Sequence, residues 1–559
     1  MARRRFVVVV GRPGTAVAVA LVAASWAASC NLVFDIQPGE MTGGAGGGST
    51  TTSAQGGGDQ GGGTTSSTVT TGGAGGGGAP CGTDLGQLSG DGYLLRATNA
   101  AGDEWVAAAA FDSPGNVVVV GSFGAETINL GGADLVHTTK LDLYDQDVFV
   151  AKYSPTNTHL WSHAFGGEMS SVVSAVATGP DDSVWMVGSF VGTLQFGGTT
   201  LVYDHVATDP PYEDMFVAKL GAGGEVLFAK RFGNSYREHG MALAVDSAGN
   251  AFLAGAGFDR MDFGTGMFGV QGSWSSFLLK LTADGELVWV DSHDYWWPDL
   301  AYYPASFREM AVAIDEDDKI LFASNFWGQS YFGEEIDTPV GGSDAYIVKL
   351  DQERQLLWKH FIHGPAGDDG EQTATALATD PCTRDVYVAG SYRGGVHVDG
   401  GEPTPVIGEP LQDDVFLVKL AADTGVPVWS RTFGDTGYQR IASLAVDPAG
   451  DLVLVGTLQD GPGFVGIDFG GEIGILQPLV DPAPNNYRTD LLIAKLSGDG
   501  VGKWGHRLGD QWDQYGWTVS VDAAGNLAVA GELTGSLKLP ALAPHSSDDY
   551  DGFVGWLRP

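Results

Sequence analysis

The chain has 559 residues, of which 43% are hydrophobic and only 17% are charged, and its 29 basic and 68 acidic residues give a formal net charge of −39. So negative a chain repels nucleic acid and anionic membrane surfaces, which excludes both as expected partners. Three cysteines are too few for a disulfide scaffold, so buried apolar area must stabilise the fold.

Residues 1–29 have the pattern of an export signal. A basic start, Met-Ala-Arg-Arg-Arg, precedes an apolar stretch from Thr15 to Ala28 and a small-residue site before Cys30. The apolar stretch is too short to hold a helix across a bilayer, so we expect a signal peptide and not a membrane span. The sequence leaves open whether export uses the general or the twin-arginine route.

Small residues directly before a cysteine resemble the lipobox of bacterial lipoproteins, and the resemblance implies that Cys30 is acylated and becomes the mature N-terminus. Ala27 departs from the usual leucine of that family, so ordinary cleavage without a lipid is the alternative. Asn31 follows Cys30 in place of aspartate, which by the same resemblance implies sorting to the outer membrane. We therefore expect an exported lipoprotein of the bacterial cell envelope, attached to the membrane by its lipid alone.

Residues 30–90 form a second region with a different composition. From Met41 to Pro80 the chain is nearly all Gly, Ser, Thr and Ala, with no apolar periodicity that could bury a face. Such a segment cannot offset its ordering entropy, so it predicts a flexible tether. Cys81 follows the tether, and the sequence leaves open whether it pairs with Cys382, which lies in a predicted hairpin turn.

From residue 91 to residue 559 the chain repeats one unit seven times. An apolar strand marks each copy, and the seven copies begin at Asp147, Asp214, Ser276, Asp344, Asp414, Asp490 and Asp551. Six copies share a lysine, and these are Lys152, Lys219, Lys280, Lys349, Lys419 and Lys495. Their spacing varies from 61 to 76 residues, which indicates a repeated unit with loop insertions.

Each unit predicts four short strands in two hairpins, with turns such as Asp-Ser-Ala-Gly-Asn from Asp246. The strands are apolar on both sides, as expected for sheets stacked face to face. The fold class is therefore all-β, a seven-bladed β-propeller of four-stranded antiparallel blades. The last copy ends before its fourth strand, whereas Gly92 begins a segment that aligns with that strand. We expect this N-terminal strand to complete the last blade and close the ring.

These motifs resemble the SBBP-type β-propeller repeats of bacterial secreted proteins, with their Asp-x-Phe-Val-x-Lys-Leu, Trp-x-x-x-Phe-Gly and Ala-Val-Asp-x-x-Gly-Asn signatures. The resemblance covers residues 91–559 and implies the fold but no defined reaction. Trp556 departs from it, because it replaces the lysine of the seventh copy. Since the six lysines recur in equivalent positions, we interpret them as structural, each paired with an acidic neighbour or a carbonyl.

Four antiparallel strands place the turns within hairpins on one face of a propeller and the longer connections on the other. The longer connections are rich in aromatic and acidic residues, which suit binding to a protein or a polysaccharide. The candidate binding residues are Trp105, Tyr236, Tyr295, Trp296, Trp297, Tyr302, Tyr303, Trp512, Tyr515 and Trp517. The alternative is that these rings cover sheet edges or pack on neighbouring blades.

Catalytic motifs are not found: the sequence has no HExxH, GxSxG elbow, phosphate loop or dinucleotide fingerprint. We therefore expect no catalytic residue, no cofactor and no metal; His159 and His163 share a strand face but lack a third ligand. The leading hypothesis is a monomeric, non-catalytic binding module at the cell surface. The alternative is a propeller enzyme of lyase or quinone-dependent dehydrogenase type with an axial active site, since fold alone licenses no activity.

Overall fold

A computed structural model gives the architecture of the chain. It describes residues 68–69, 93–96, 104–138, 145–203, 212–234, 236–269, 271–294, 310–326, 330–332, 335–337, 342–365, 370–398, 412–435, 437–459, 466–477, 488–537 and 545–558. Every regular element in these ranges is a β-strand. The signal segment, Cys30 and most of the predicted tether lie outside the described residues.

The strands form repeated four-stranded antiparallel sheets, in which the strands follow one another across the sheet and are called a, b, c and d. Blade one contains Glu104–Phe111, Val117–Phe123, Asp147–Tyr153 and His159–Phe165. Blade two contains Ser171–Thr178, Val184–Phe190, Asp214–Leu220 and Val226–Phe232. Blade three contains Glu238–Val245, Ala251–Phe258, Trp274–Leu281 and Leu287–Asp294.

The same order continues in the second half of the chain. Blade four contains Ala311–Ile314, Ile320–Phe326, Asp344–Leu350 and Leu356–His363. Blade five contains Gln372–Thr379, Val386–Tyr392, Asp414–Leu420 and Pro427–Phe433. Blade six contains Tyr438–Val446, Leu452–Gln459, Thr489–Leu496 and Gly502–Leu508. Blade seven contains Gln514–Val521, Leu527–Leu537, His545–Leu557 and, as strand d, Tyr93–Arg96.

The ring is closed by the two ends of the repeated region. Tyr93 pairs with Trp556 and Arg96 pairs with Phe553, so the first strand completes the last blade as predicted. The a strands of successive blades contact one another, and those of blades seven and one also do so. The a strands are therefore innermost. The fold is a seven-bladed β-propeller.

The core lies between the blades. In blade one, every residue of Val117–Phe123 and Asp147–Tyr153 is buried, because neighbouring blades cover both faces of the sheet. Trp556, which takes the lysine position in blade seven, packs edge-to-face on Phe111 of blade one with ring centroids 5.9 Å apart. The exception to the lysine pattern thus adds an aromatic contact where the two ends of the ring meet.

The connections between strands b and c carry additional two-stranded ribbons. The ribbons pair Thr127–Ile128 with Leu135–Val136, Thr193–Phe196 with Thr199–Val202, Met261–Asp262 with Met267–Phe268, Ser330–Phe332 with Glu335–Asp337, and Ile467–Asp468 with Ile475–Leu476. In blade five, His397–Val398 instead pairs with strand d of blade four. A further short strand, Thr68–Val69, pairs with strand a of blade three.

Candidate binding site at the long-connection face

The a–b and c–d turns share one end of the propeller, which we call the short-turn face. In six blades the a–b turn begins with an aspartate, such as Asp246, whose Oδ1 accepts the backbone N–H groups of Ala248 at 3.0 Å and Asn250 at 2.8 Å. Gly249 follows with a φ of 82°, which glycine adopts without strain. Blade two has Gly179 in place of the aspartate. The Asp-x-x-Gly-Asn signature is therefore a self-capped turn.

The lysine of strand c reaches this aspartate from within the blade. Lys152 Nζ lies 2.7 Å from Asp112 Oδ2, and both side chains are buried. The equivalent pairs are Lys349–Asp315 at 2.8 Å, Lys419–Asp380 at 3.2 Å and Lys495–Asp447 at 2.7 Å. In blade two, Lys219 pairs at 3.4 Å with Asp181, which lies two residues further along the turn and is exposed. Lys280 instead donates to the amide oxygen of Gln352. The predicted pairing with an acidic side chain is confirmed for five of the six lysines.

In four blades a tryptophan of strand d is hydrogen-bonded to the next blade. Trp161 Nε1 donates to the carbonyl oxygen of Ala222, in the c–d turn of blade two, at 3.1 Å. The same bond joins Trp289 to Gln352 at 3.1 Å, Trp358 to Ala422 at 3.0 Å and Trp429 to Gly498 at 3.2 Å. Because these contacts repeat from blade to blade, we interpret the short-turn face as structural.

The connections between blades and between strands b and c lie at the opposite end, which we call the long-connection face. Here the ribbons insert between neighbouring blades. The ring centroid of Phe196 lies 4.5 Å from that of Phe165, in the preceding blade, and 5.5 Å from that of Phe216, in its own blade. In blade six, Glu472 N donates to Gly502 O on strand d at 3.0 Å. The ribbons thus cover outer sheet edges, and much of the loop insertion is structural.

In six blades a buried aspartate lies near the start of strand c at this face. Asp214 accepts a hydrogen bond from Arg231 Nη1 at 2.7 Å. Burial and the nearby carboxylate of Asp214 raise the pKa of Glu238 well above its ordinary value. Burial and the carboxylate of Asp435 raise the pKa of Asp414 to about 8. Glu238 and Asp414 therefore keep their protons to a higher pH than ordinary carboxyl groups.

The glycine of the Trp-x-x-x-Phe-Gly signature packs directly against these groups. At Gly434, which follows Trp429 and Phe433, a Cβ atom would overlap Asp414 Oδ1. The signature thus ends in glycine because the chain passes the buried carboxyl group too closely for a side chain.

The a strands surround the axis, and their exposed side chains differ between blades. Six of the described a strands carry a β-bulge, whose extra residues are Ala107, Ser174, Met241, Thr375, Ala442 and Trp517. Trp517 is the one large aromatic side chain among these six and is 38% exposed. Blade seven therefore breaks the symmetry of the repeats.

Trp517 belongs to a group of aromatic side chains on blades six and seven. Tyr515 stacks on it, with ring centroids 5.4 Å apart and an interplanar angle of 1°. Trp512, in the connection between these blades, is 45% exposed and lies 5.3 Å from the Arg488 guanidinium. Tyr438, at the start of strand a of blade six, is 38% exposed. We call Tyr438, Trp512, Tyr515 and Trp517 the aromatic group.

The aromatic group stands out from the rest of the described surface. Within the described ranges, the exposed large hydrophobic side chains that are aromatic are Tyr438, Trp512 and Trp517. Tyr438 and Trp517 lie on the neighbouring a strands of blades six and seven, and Trp512 lies in the connection between these blades. Exposed aromatic rings on neighbouring blades are typical of binding sites.

The predicted binding residues fall into separate places. Trp512, Tyr515 and Trp517 lie in the aromatic group. Trp105 is half-buried on strand a of blade one, which contacts strand a of blade seven. Tyr236 is half-buried, with its ring centroid 5.5 Å from that of Phe258 and 6.0 Å from that of Tyr212, so it covers neighbouring rings. Outside the described residues lie Tyr295, Trp296, Trp297, Tyr302 and Tyr303.

Tyr438 is not among the predicted binding residues, and the structure adds it to the candidate site. The signal in the sequence is its position nine residues before Asp447 of the Ala-Val-Asp motif, which places it at the beginning of an a strand. Its exposure depends on the neighbouring connections and has no signal in the sequence.

Charged groups near strand a of blade six are paired with one another. Asp413 accepts hydrogen bonds from Arg393 Nε and from Arg440 Nε, the latter at 2.6 Å. Glu371 lies 3.3 Å from the Nη1 atom of Arg393. In the part of the chain that the structure describes, no group of three or more His, Cys, Asp or Glu residues could hold a metal ion. A helix long and apolar enough to cross a membrane is likewise not found there.

Comparison with known proteins gives distant similarities only. No protein-family model matches the chain. An uncharacterised WD repeat-containing protein, L264, of Acanthamoeba polyphaga mimivirus is 21% identical over 422 residues, which cover 63% of this chain and 29% of the viral protein. The chain therefore spans less than a third of the length of this curated relative.

The solved structures that resemble this chain also have low sequence identity to it. The acylaminoacyl peptidase of Pyrococcus horikoshii is 10% identical with a TM-score of 0.36, over 78% of this chain and 51% of the peptidase. The quinohemoprotein alcohol dehydrogenase of Comamonas testosteroni is 9% identical with a TM-score of 0.31, over 83% of this chain and 76% of the dehydrogenase. These similarities are too low to carry an activity over to this chain.

Proposed function

We propose that this protein is an exported, lipid-anchored binding module of the bacterial cell surface, which holds a polysaccharide or a protein at its aromatic group without catalysing a reaction. The observation that carries the proposal is that Tyr438, Trp512 and Trp517, on blades six and seven, are the aromatic residues among the exposed large hydrophobic side chains of the described residues. Large rigid rings supply contact area at a low cost in conformational entropy.

The stacking of Tyr515 on Trp517 supports a binding role. One face of the Trp517 indole rests on the parallel Tyr515 ring, while the side chain as a whole keeps considerable exposure. A ring that is already held in place loses little freedom when a ligand covers it. Aromatic faces of this kind stack on the apolar faces of sugar rings and on protein side chains.

The disulfide state of Cys382 supports the exported location. Cys382 is disulfide-bonded in the structure. Stable disulfides persist in oxidising compartments outside the cytosol. The charge of −39 agrees with a ligand other than nucleic acid.

The test compares Trp512→Ala and Trp517→Ala with the unchanged protein on glycan arrays and in pull-downs from cell-surface extracts. We expect a ligand whose affinity falls at least about tenfold in each variant, the loss of about 1.4 kcal/mol or more that a central aromatic contact supplies. Leu227→Ala is the matched control, because Leu227 is also exposed but lies on an outer strand of blade two. This variant should bind normally.

Two results would contradict the proposal. If every ligand found binds both tryptophan variants as well as the unchanged protein, the aromatic group is not the binding site. If the protein turns over a compound and Trp517→Ala abolishes the turnover while leaving the fold intact, the protein is a propeller enzyme.

A further inference from the structure

One carbonyl group in the c–d turn connects a blade to the blade before it. It belongs to the second residue after strand c, for example Ala222 after Asp214–Leu220 in blade two. At three junctions the strand-c lysine of the preceding blade donates to this oxygen. The bonds are Lys152 to Ala222 at 3.3 Å, Lys219 to Ala283 at 3.0 Å and Lys349 to Ala422 at 2.9 Å. The lysine therefore ties neighbouring blades together at the short-turn face.

Blade seven lacks this donor, because Trp556 takes the lysine position. The Trp556 indole is buried and packs edge-to-face on Phe111 of blade one. Among the described residues, its Nε1 atom has no hydrogen-bond acceptor. Strand c of blade seven therefore makes an apolar contact with blade one at this position, but not the hydrogen bond that lysine makes at the other junctions.

Arg558 supplies the missing bond from just outside the strand. Strand c of blade seven ends at Leu557, and the half-buried Arg558 follows it. Its Nη2 atom donates to the carbonyl oxygen of Pro155 in blade one at 2.7 Å. Pro155 is the second residue after strand c of blade one, so its carbonyl group is the equivalent of that of Ala222 in blade two. An arginine in blade seven thus bonds to the acceptor that a lysine uses elsewhere.

The junction of blades seven and one, which we call the seam, differs from the other junctions in its covalent connections. In blades one to six a short turn joins strand c to strand d. In blade seven, strand d comes from the other end of the repeated region, so strand c is held to its surroundings on this side by non-covalent contacts. Segments that are held by few contacts open locally more often than the rest of a fold.

We propose that Arg558 is a clasp that keeps the seam closed, and that local opening of the ring takes place at the seam. A hydrogen bond from a guanidinium group to a carbonyl oxygen is charge-assisted and stronger than a bond between neutral groups. The bond runs from the end of strand c of blade seven to a turn of blade one. It therefore opposes the separation of these two blades directly.

Amide hydrogen exchange of the full-length protein tests the clasp. In Arg558→Met, which removes the donor and keeps a long side chain, we expect exchange at residues 551–557 and 104–111 to be at least about tenfold faster than in the unchanged protein. Exchange in blades three and four should stay the same. Arg260→Met is the matched control, because Arg260 is exposed in the b–c connection of blade three. It should leave exchange at the seam unchanged.

Arg558→Lys separates the hydrogen bond from other effects of the substitution. Lysine donates to the equivalent carbonyl group at three other junctions, so this variant should recover most of the protection that Arg558→Met loses. Arg558 lies outside the strands, so both variants keep every strand pairing, and cooperative thermal unfolding checks that they fold. Three results would overturn the proposal: unchanged exchange at the seam in Arg558→Met, equal acceleration in all seven blades, or no recovery in Arg558→Lys.

Discussion

The Nζ atom of Lys152 lies 2.7 Å from Asp112 Oδ2, and the two side chains are 3% and 0% exposed. Lys152 also donates to the carbonyl oxygen of Ala222 in the next blade at 3.3 Å. The ammonium group therefore joins a turn of its own blade to a turn of the neighbouring blade. Such a buried pair tolerates the loss of one partner poorly, because the other charge stays buried without compensation.

Lys152→Met should therefore lower the free energy of unfolding by about 3–5 kcal/mol, as measured by chemical denaturation. Lys230→Met is the control, because Lys230 pairs with the exposed Glu286 at 2.7 Å. Exposed pairs contribute about 0–1 kcal/mol. Similar losses in both variants would contradict the role assigned to the buried pair.

Phe196→Ala should destabilise the propeller by about 3–5 kcal/mol, because Phe196 fills the space between two blades. Val202→Ala, in the same ribbon, removes an exposed side chain and should change stability by less than about 0.5 kcal/mol. Thermal unfolding of both variants gives the comparison. If Phe196→Ala unfolds at the wild-type temperature, the ribbon is not a structural cover.

Asp414→Asn should stabilise the protein at neutral pH. The pKa of Asp414 is raised from its ordinary value of 3.8 to about 8 in the folded state, so the folded state binds the proton more tightly than the unfolded chain. This contribution to stability is fully present below about pH 4 and is lost as the pH rises towards 8. Since one pKa unit corresponds to about 1.4 kcal/mol, the variant should gain a few kcal/mol at pH 8.

The measurement for Asp414→Asn is the free energy of unfolding of both proteins from pH 4 to pH 8. The two curves should meet near pH 4 and separate as the pH rises. Curves that stay parallel would show that Asp414 is ionised in the folded protein.

Glu238→Gln should also stabilise the protein above the ordinary carboxyl pKa, since burial raises the pKa of Glu238. The equivalent a-strand positions of blades five, six and seven already hold glutamine, as Gln372, Gln439 and Gln514. Glutamine fits the site, and its side chain does not ionise. Melting temperatures at pH 8 should rise for Glu238→Gln and fall for Glu238→Ala, and a lower melting temperature for Glu238→Gln would contradict the prediction.

A chain that begins at residue 97 should lose the closing strand, expose the backbone edge of His545–Leu557 and aggregate. A chain that begins at residue 91 keeps the strand and lacks the same cysteines, so it is the matched control. Size-exclusion chromatography and thermal unfolding distinguish the two. Equal behaviour of both chains would show that the N-terminal strand is not needed for closure.

Much of the fold could be predicted because the information is local and repeated. The motif around Asp246 specifies its own turn through hydrogen bonds within five residues. The strand around Lys152 recurs seven times with the same pattern, which predicts both the number of blades and the lysine contacts. The missing last strand and the additional first strand predict ring closure, which the pairing of Tyr93 with Trp556 confirms.

The candidate site could be predicted only in part. Trp512, Tyr515 and Trp517 are visible as aromatic residues in a connection, but so is Tyr236, which packs on Phe258 and Tyr212. Nothing in the sequence distinguishes a ring that covers a neighbour from one that stays exposed. In the sequence, the segment around Phe196 likewise has the pattern of a variable loop. Its contacts with two blades show that it packs as part of the structure.

By itself, then, the sequence determined the repeated sheet, the seven copies and the way the ring closes, because each depends on residues near one another in the chain or on the count of the copies. The tertiary structure decided which connections cover sheet edges and where aromatic rings remain exposed. Exposure depends on how segments from different blades come together, and the sequence of a single blade does not contain that information.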